Sequence, residues 1–181
     1  VGLVAIGCSG DTGTSSAGMD DLVDMSITAP TTDAHINPDQ STTSPINFVG
    51  FREGSLTYDA LGTPRTLPLF FWYPSSSNMG ASVRYNGFLN TDIAIRDTPL
   101  SDVSSMPILL FSHGMRGMGA ASIPFMAEFF AALGWLVVSW EHVGDTTIDG
   151  TDADLTFVHR PLDASAVLDY LYRENADHPF V

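Results

Sequence analysis

The stretch from Met106 to Trp140 restricts the fold more than any other part of the chain. Met106-Pro107 leads into Ile108-Leu109-Leu110-Phe111-Ser112, an apolar run that is continuous rather than alternating, as a strand covered on both faces requires. A glycine-rich loop follows: His113-Gly114-Met115-Arg116-Gly117-Met118-Gly119. Ile123, Ala127, Phe130 and Leu133 then recur at the spacing of one helical face, and Gly134 supplies a C-terminal stop. Trp135 to Trp140 (WLVVSW) reads as a second buried strand. A strand–helix–strand unit closes by a right-handed crossover, so the two strands are expected parallel and adjacent or nearly so.

Upstream, Phe48 to Tyr58 alternates loosely and predicts a strand with Gly54 near a bulge or turn. Gly62-Thr63-Pro64 predicts a turn, and Leu67 to Tyr73 a second strand that Pro74 stops, the two forming an antiparallel hairpin. Residues 75–105 read as an insertion loop around a weak extended segment at Asp92–Arg96. Residues 141–159 read as a polar, Asp-rich loop. Pro161 in a first helical turn, Asp163 near the positive end, and Ala164, Val167, Leu168 and Leu171 on one face predict a second helix, fraying near Asn175. This order is half of an α/β sheet. Residues 46–181 are therefore expected to be the N-terminal portion of a larger domain, and Asp177-His178-Pro179 to open a further connection.

Charge narrows the partners. Seven Arg and no Lys stand against 21 Asp plus Glu, a net charge of −14. That argues against a nucleic-acid partner and against a polybasic membrane-surface helix, since both need clustered cations. An acid excess suits a salt-tolerant or extracytoplasmic setting. With 44% hydrophobic and 15% charged residues the chain is too apolar for wholesale disorder. No apolar run approaches the roughly 18–20 residues of a bilayer span. The single cysteine forms no internal disulfide, and no Cys/His cluster has zinc spacing.

Residues 1–45 read as a truncated signal segment followed by a polar linker. Val1 to Ile6 is mostly apolar, and Asp, Thr, Ser and Gly dominate from Ser9 to Pro45. Ala5-Ile6-Gly7-Cys8 resembles a bacterial lipobox, which implies lipidation of Cys8 as the one membrane contact and an extracytoplasmic location. The other reading of this stretch is a buried strand with a free thiol. Asp20, Asp21 and Asp24 lack the spacing and the closing Glu of a calcium loop.

The chemistry concentrates in Phe111-Ser112-His113-Gly114-Met115 at a strand end, where α/β sheets bind ligands. A strand that loosens into glycines can point backbone N–H groups outward, and such donors stabilise the alkoxide formed in acyl transfer. The segment PILLFSHGMRGMGAASIPFMAEFFAALGWLVVSWEHVGDTT, with RPLDASAVLDYL and the upstream LPLFFWYP, resembles the α/β-hydrolase superfamily. Within it the chain is similar to dienelactone hydrolases and platelet-activating-factor acetylhydrolase-like esterases over roughly residues 46–175. The resemblance implies that His113-Gly114-Met115 is the oxyanion-hole loop, with the Met115 N–H as donor. It also implies a serine esterase acting on a lipid or another short-chain ester through an acyl-enzyme, without a cofactor. Cutinase-like secreted polyester hydrolases share the loop and helix, and a non-catalytic surface lipoprotein on the same fold is an alternative from another class.

The chain departs from the superfamily at the nucleophile. No Gly-x-Ser-x-Gly is present. Ser112 imitates its centre, but Leu110 holds the position where the elbow needs glycine, so Ser112 reads as a strand-end residue bonding nearby backbone. His142, His159 and His178 precede any later serine, so the triad is expected beyond Val181. Glu141, His142 and Asp145 lack a third ligand at metal spacing, so no metal is expected; His142 and Met118 are expected to line the substrate pocket. Arg160 and Asp163 are expected to pair with each other and tie the 141–159 loop to the helix start. Phe125, Phe129, Phe130, Trp135 and Trp140 read as core or near-core, and Met115 and Met118 as candidates for an acyl pocket.

Overall fold

A computed structural model describes residues 3–7, 47–102, 106–151 and 153–173, with only the backbone described at 3–7 and over 151–156. The strands are β1 (Leu3–Gly7), β2 (Phe48–Ala60), β3 (Thr63–Ser75), β4 (Ser82–Tyr85), β5 (Leu89–Arg96), β6 (Ile108–Ser112) and β7 (Leu136–Trp140). Two helices, α1 (Pro124–Ala132) and α2 (Ala153–Tyr172), and a ribbon of β8 (Asp145–Thr146) and β9 (Gly150–Thr151) complete the described elements. The main sheet runs β1-β6-β7-β3-β2-β5-β4. It is an α/β sheet in which an antiparallel hairpin, β2–β3, leads into the parallel pair β6–β7, as expected.

The hairpin is longer than its apolar content suggests. Its register is unbroken from Phe48↔Ser75 to Ala60↔Thr63, passing Gly54 without a bulge. Leu61 and Gly62 turn it, both at positive φ (57° and 85°), as a two-residue turn matched to strand twist demands. Pro74 does not stop β3 but pairs opposite Val49. Pro64, Pro68 and Pro74 share one parity, and the carbonyls of Pro68 and Pro74 face away from β2, accepting from Glu141 N–H (3.0 Å) and Ser101 N–H (2.9 Å). The absent proline N–H groups thus fall on the side facing β7, beyond the 69–72 stretch that β7 pairs.

Two strands stand in the expected insertion loop, and the extended segment expected at Asp92–Arg96 is the end of β5. β4 and β5 pair antiparallel around Asn86 and Gly87, both at positive φ, and β5 pairs in parallel with β2. The Asn-Gly dipeptide was the overlooked signal, because it favours a hairpin turn whatever the polarity of its flanks. At the other edge, β1 pairs in parallel with β6, from Leu3↔Ile108 to Gly7↔Ser112. The opening apolar stretch is thus a strand, and the edge of β6 is covered. Cys8, the linker 9–45, Asp20, Asp21, Asp24 and His178 lie outside the described residues.

Alternate residues of the central strands feed two cores. Phe51, Trp72, Leu109, Phe111 and Val137 pack with Ile123, Ala127 and Ala131 of α1 and its entry. Leu69, Phe71, Leu110, Leu136, Val138 and Trp140 pack with Val167 of α2, so both faces of β6 and β7 are covered. The α1 C-terminus is as expected: Gly134 (φ 93°) donates to Ala131 O and Trp135 to Phe130 O, a Schellman closure.

The buried face of α1, however, is Pro124, Ala127, Glu128 and Ala131, while Phe125, Phe129 and Leu133 are exposed. The one carboxylate of the helix faces inward because partners await it there. Glu128 Oε1 accepts from Tyr85 Oη (2.7 Å) and Thr91 Oγ1, and Tyr85 Oη itself accepts from Trp72 Nε1 (2.9 Å). Helix α2 also departs from expectation: it begins at Ala153, so Pro161 sits in its interior rather than its first turn. Proline's tolerance at a helix start was the cue, but tertiary contacts outweigh its local cost here.

Burial raises the Glu128 carboxyl above its ordinary value. A raised folded value means a contribution fully present below the unfolded value and lost as pH rises through the folded one. Glu128→Gln removes that loss. The variant's melting temperature relative to the parent is expected to rise between about pH 4 and pH 7; a pH-independent difference in scanning calorimetry would contradict this.

Candidate active site

Parallel pairing sets Ser112 opposite Trp140, so β6 and β7 end at one edge; His113 follows the first strand directly and His142 lies two residues past the second. Their rings lie 5.0 Å apart, both wholly buried. The His142 N–H donates to His113 Nε2 (3.0 Å), which leaves Nδ1 of His113 as the protonated nitrogen, donating to Gly114 O (2.7 Å). Burial lowers the His113 pKa to about 4, so the ring is neutral near pH 7. Glu141 Oε2 stands 3.5 Å from His113 Nε2, and burial raises its carboxyl.

The loop expected to hold an oxyanion is a tight turn. Gly117 N–H donates to Gly114 O (2.9 Å), and Arg116 carries the left-handed φ (56°) that follows a second turn residue. The rest of the turn is tied down. Arg116 N–H donates to Asp145 Oδ1 (3.1 Å), Thr147 Oγ1 donates to Arg116 O, and Thr147 N–H to Gly117 O (3.3 Å). Gly114 and Met115 N–H have no acceptor among the described residues. Met115 itself is 63% exposed, while Met118 is half-buried. Gly119 brings the loop back against the sheet: a Cβ there would lie 2.7 Å from Trp140 O.

Behind the loop stands an assembly that sequence reading did not foresee. Ser112 Oγ lies 2.8 Å from His142 Nε2, and His142 Nδ1 lies 2.7 Å from Asp163 Oδ2. Asp163 also accepts from Tyr58 Oη (2.5 Å) and from both Nε and Nη2 of Arg65 (2.7 and 3.0 Å). Burial alone would raise the Asp163 carboxyl, but the hydrogen bonds from His142, Arg65 and Tyr58 outweigh it and hold it below the ordinary carboxylate value. Burial conversely lowers His142. The assigned protonation is therefore carboxylate, neutral imidazole with Nδ1–H, and serine hydroxyl donating to Nε2.

Arg160 closes the other side. Its Nη1 donates to Asp145 Oδ2 (2.8 Å), and its Nη2 to His113 O and Ser112 Oγ (3.3 Å). Arg160 and Asp163 therefore do not pair with each other: three residues apart on α2, they reach opposite sides of the two histidines. The His142 ring, expected to line a pocket, is wholly buried here with Ser112 and Asp163 as its partners. Ser112 bonds side chains rather than nearby backbone. Among the described residues no group of three His, Cys, Asp or Glu could hold a metal ion.

No family model matches the sequence, and no curated protein does. Among solved structures, a ferulic acid esterase from Streptomyces cinnamoneus is similar, with a TM-score of 0.57 and 21% identity over 76% of this chain and 49% of that one. The fold is α/β-hydrolase-like. The chain spans about half the length of that esterase.

Two outcomes test the site's construction. Arg65→Met leaves Asp163 with its buried charge half-compensated, a loss of about 3–5 kcal/mol. Because a lowered carboxylate value contributes stability above the unfolded value that is lost as pH falls through the folded one, the variant's acid-unfolding midpoint should move to higher pH by fluorescence. Gly119→Ala drives a methyl into the β7 backbone and should cost about 1–3 kcal/mol in urea unfolding; a cost near zero would mean the loop is not pressed on Trp140.

Proposed function

We propose that the intact protein is a carboxylic ester hydrolase that forms an acyl-enzyme, with the 113–117 turn as its oxyanion-binding loop. One observation carries this: among the described residues two consecutive N–H groups, of Gly114 and Met115, have no acceptor in a turn whose next two N–H groups are both bonded. They lie at the carboxyl end of a central strand of an α/β-hydrolase-like sheet. A neutral ester binds there weakly; the alkoxide formed on nucleophilic attack accepts both donors in full, which is stabilisation specific to the transition state. The likeness to a ferulic acid esterase supports an ester as substrate. The reacting serine is proposed to come from sequence beyond Val181, which the coverage of half of that esterase supports. A lipid or short-chain acyl ester as substrate completes the proposal.

The Ser112–His142–Asp163 arrangement favours a second reading, in which Ser112 is the nucleophile, because base and nucleophile are within bonding distance and a carboxylate orients the base. Three features oppose it. His142 is wholly enclosed, so it cannot hand a proton to a leaving group; Arg160 already donates to Ser112 Oγ; and Leu110 precludes an elbow.

Met115→Pro tests the first reading cleanly, because proline suits the second position of a β-turn and deletes only the N–H. In the full-length protein its kcat on a p-nitrophenyl ester should fall by about 10²–10³, with Met115→Ala far milder. Unchanged turnover in Met115→Pro removes this loop from the chemistry. Labelling by a fluorophosphonate that maps to Ser112 would establish the second reading instead.

A further inference from the structure

We propose that His113 is a positioning residue: by gripping the Gly114 carbonyl from within the protein, its ring turns the Met115 N–H outward toward a substrate oxygen. The inference rests on the oxyanion reading of the loop and assigns the buried assembly behind it a role. A peptide's carbonyl and the following N–H point in opposite directions, so fixing Gly114 O fixes where Met115 N–H points. His113 Nδ1–H and Gly117 N–H both bond Gly114 O, at 2.7 and 2.9 Å. The ring can do so only in the tautomer that carries hydrogen on Nδ1. That tautomer is enforced from the other side, where Nε2 accepts the His142 N–H.

His142 is itself immobile. Its ring is held between Ser112 Oγ and Asp163 Oδ2, and Asp163 is locked by Arg65 and Tyr58 of the hairpin. Arg160 independently holds the His113 carbonyl and, through Asp145, the Arg116 N–H. The loop is thus clamped from α2 by two residues three positions apart, and the chain of contacts from Tyr58 to Gly114 contains no water-exposed joint: Asp163, His142 and His113 are all wholly buried. A Ser–His–Asp relay with no room for a leaving group is here the rigid support of an oxyanion loop.

Two polar variants separate the arms of the ring. Asn places an amide N–H near the position of Nδ1 and keeps the grip on Gly114 O; Gln places its carbonyl near Nε2 and keeps only the acceptor for His142. In the full-length protein His113→Gln should lower kcat on a p-nitrophenyl ester about 10- to 100-fold with little change in KM, and His113→Asn should recover a good part of that loss. Amide hydrogen exchange of a 112–119 peptide should be faster in His113→Gln than in His113→Asn, with other peptides unchanged. Equal kcat and equal exchange in the two variants, while Met115→Pro still abolishes most turnover, would overturn the positioning role and leave the oxyanion reading standing. Ordered exchange rates with both variants and Met115→Pro fully active would overturn the oxyanion reading, and with it any catalytic meaning of the grip.

Discussion

The parallel pairing of β6 with β7 is the constraint on which the site depends. Because Ser112 lies opposite Trp140, the next residues of each strand emerge at the same height and one strand spacing apart. His113 and Glu141 are those next residues, and His142, one position further along, brings its ring within 5.0 Å of that of His113. Everything else in the site is built on that pair: one ring reaches forward to the glycine turn, the other back to α2. A slip of one residue would put Ser112 and its hydrogen bond on the opposite face of the sheet.

Carboxylates in the interior are answered to different degrees at different places. Asp163 is completely buried, yet it has Arg65 on two edges, Tyr58 and His142 as donors, so its desolvation is offset by charge-assisted bonds. Glu128 has neutral donors only, the Tyr85 and Thr91 hydroxyls and the Ala94 backbone, so burial wins there and the carboxyl is raised. Asp163 and Glu128 are thus shifted in opposite directions for reasons visible in their partners. Both histidines are lowered by burial, which keeps them neutral and able to act as oriented hydrogen-bond bridges rather than as charges.

Much of the architecture was legible in the chain. The continuous runs ILLFS and WLVVSW, the helix between them and the Gly134 cap are local signals, and β6, α1 and β7 appear where they were read. The hairpin was legible too, although its length was not, because Pro64 reads as part of the turn and Pro74 as a strand end. Their shared parity, which makes them harmless, has meaning only once the partner strands are known. The face of α1 was legible at Ile123, Ala127 and Phe130 but not at Leu133 and Glu128, because hydrophobic periodicity assumes that carboxylates point outward. Glu128 points inward to Tyr85 and Thr91, on strands that sequence reading had left as a loop.

What the sequence by itself determined is the order of elements and the presence of a glycine turn after a buried strand, since both follow from apolar runs and residues that free the backbone. What only the tertiary structure decided is the company that turn keeps. Ser112 meets His142 thirty residues away, and Asp163 meets Tyr58 and Arg65 across separations of 105 and 98. No local pattern encodes such contacts; they arise because strand register and helix packing bring distant side chains to one edge of the sheet, where a buried polar group must find a partner.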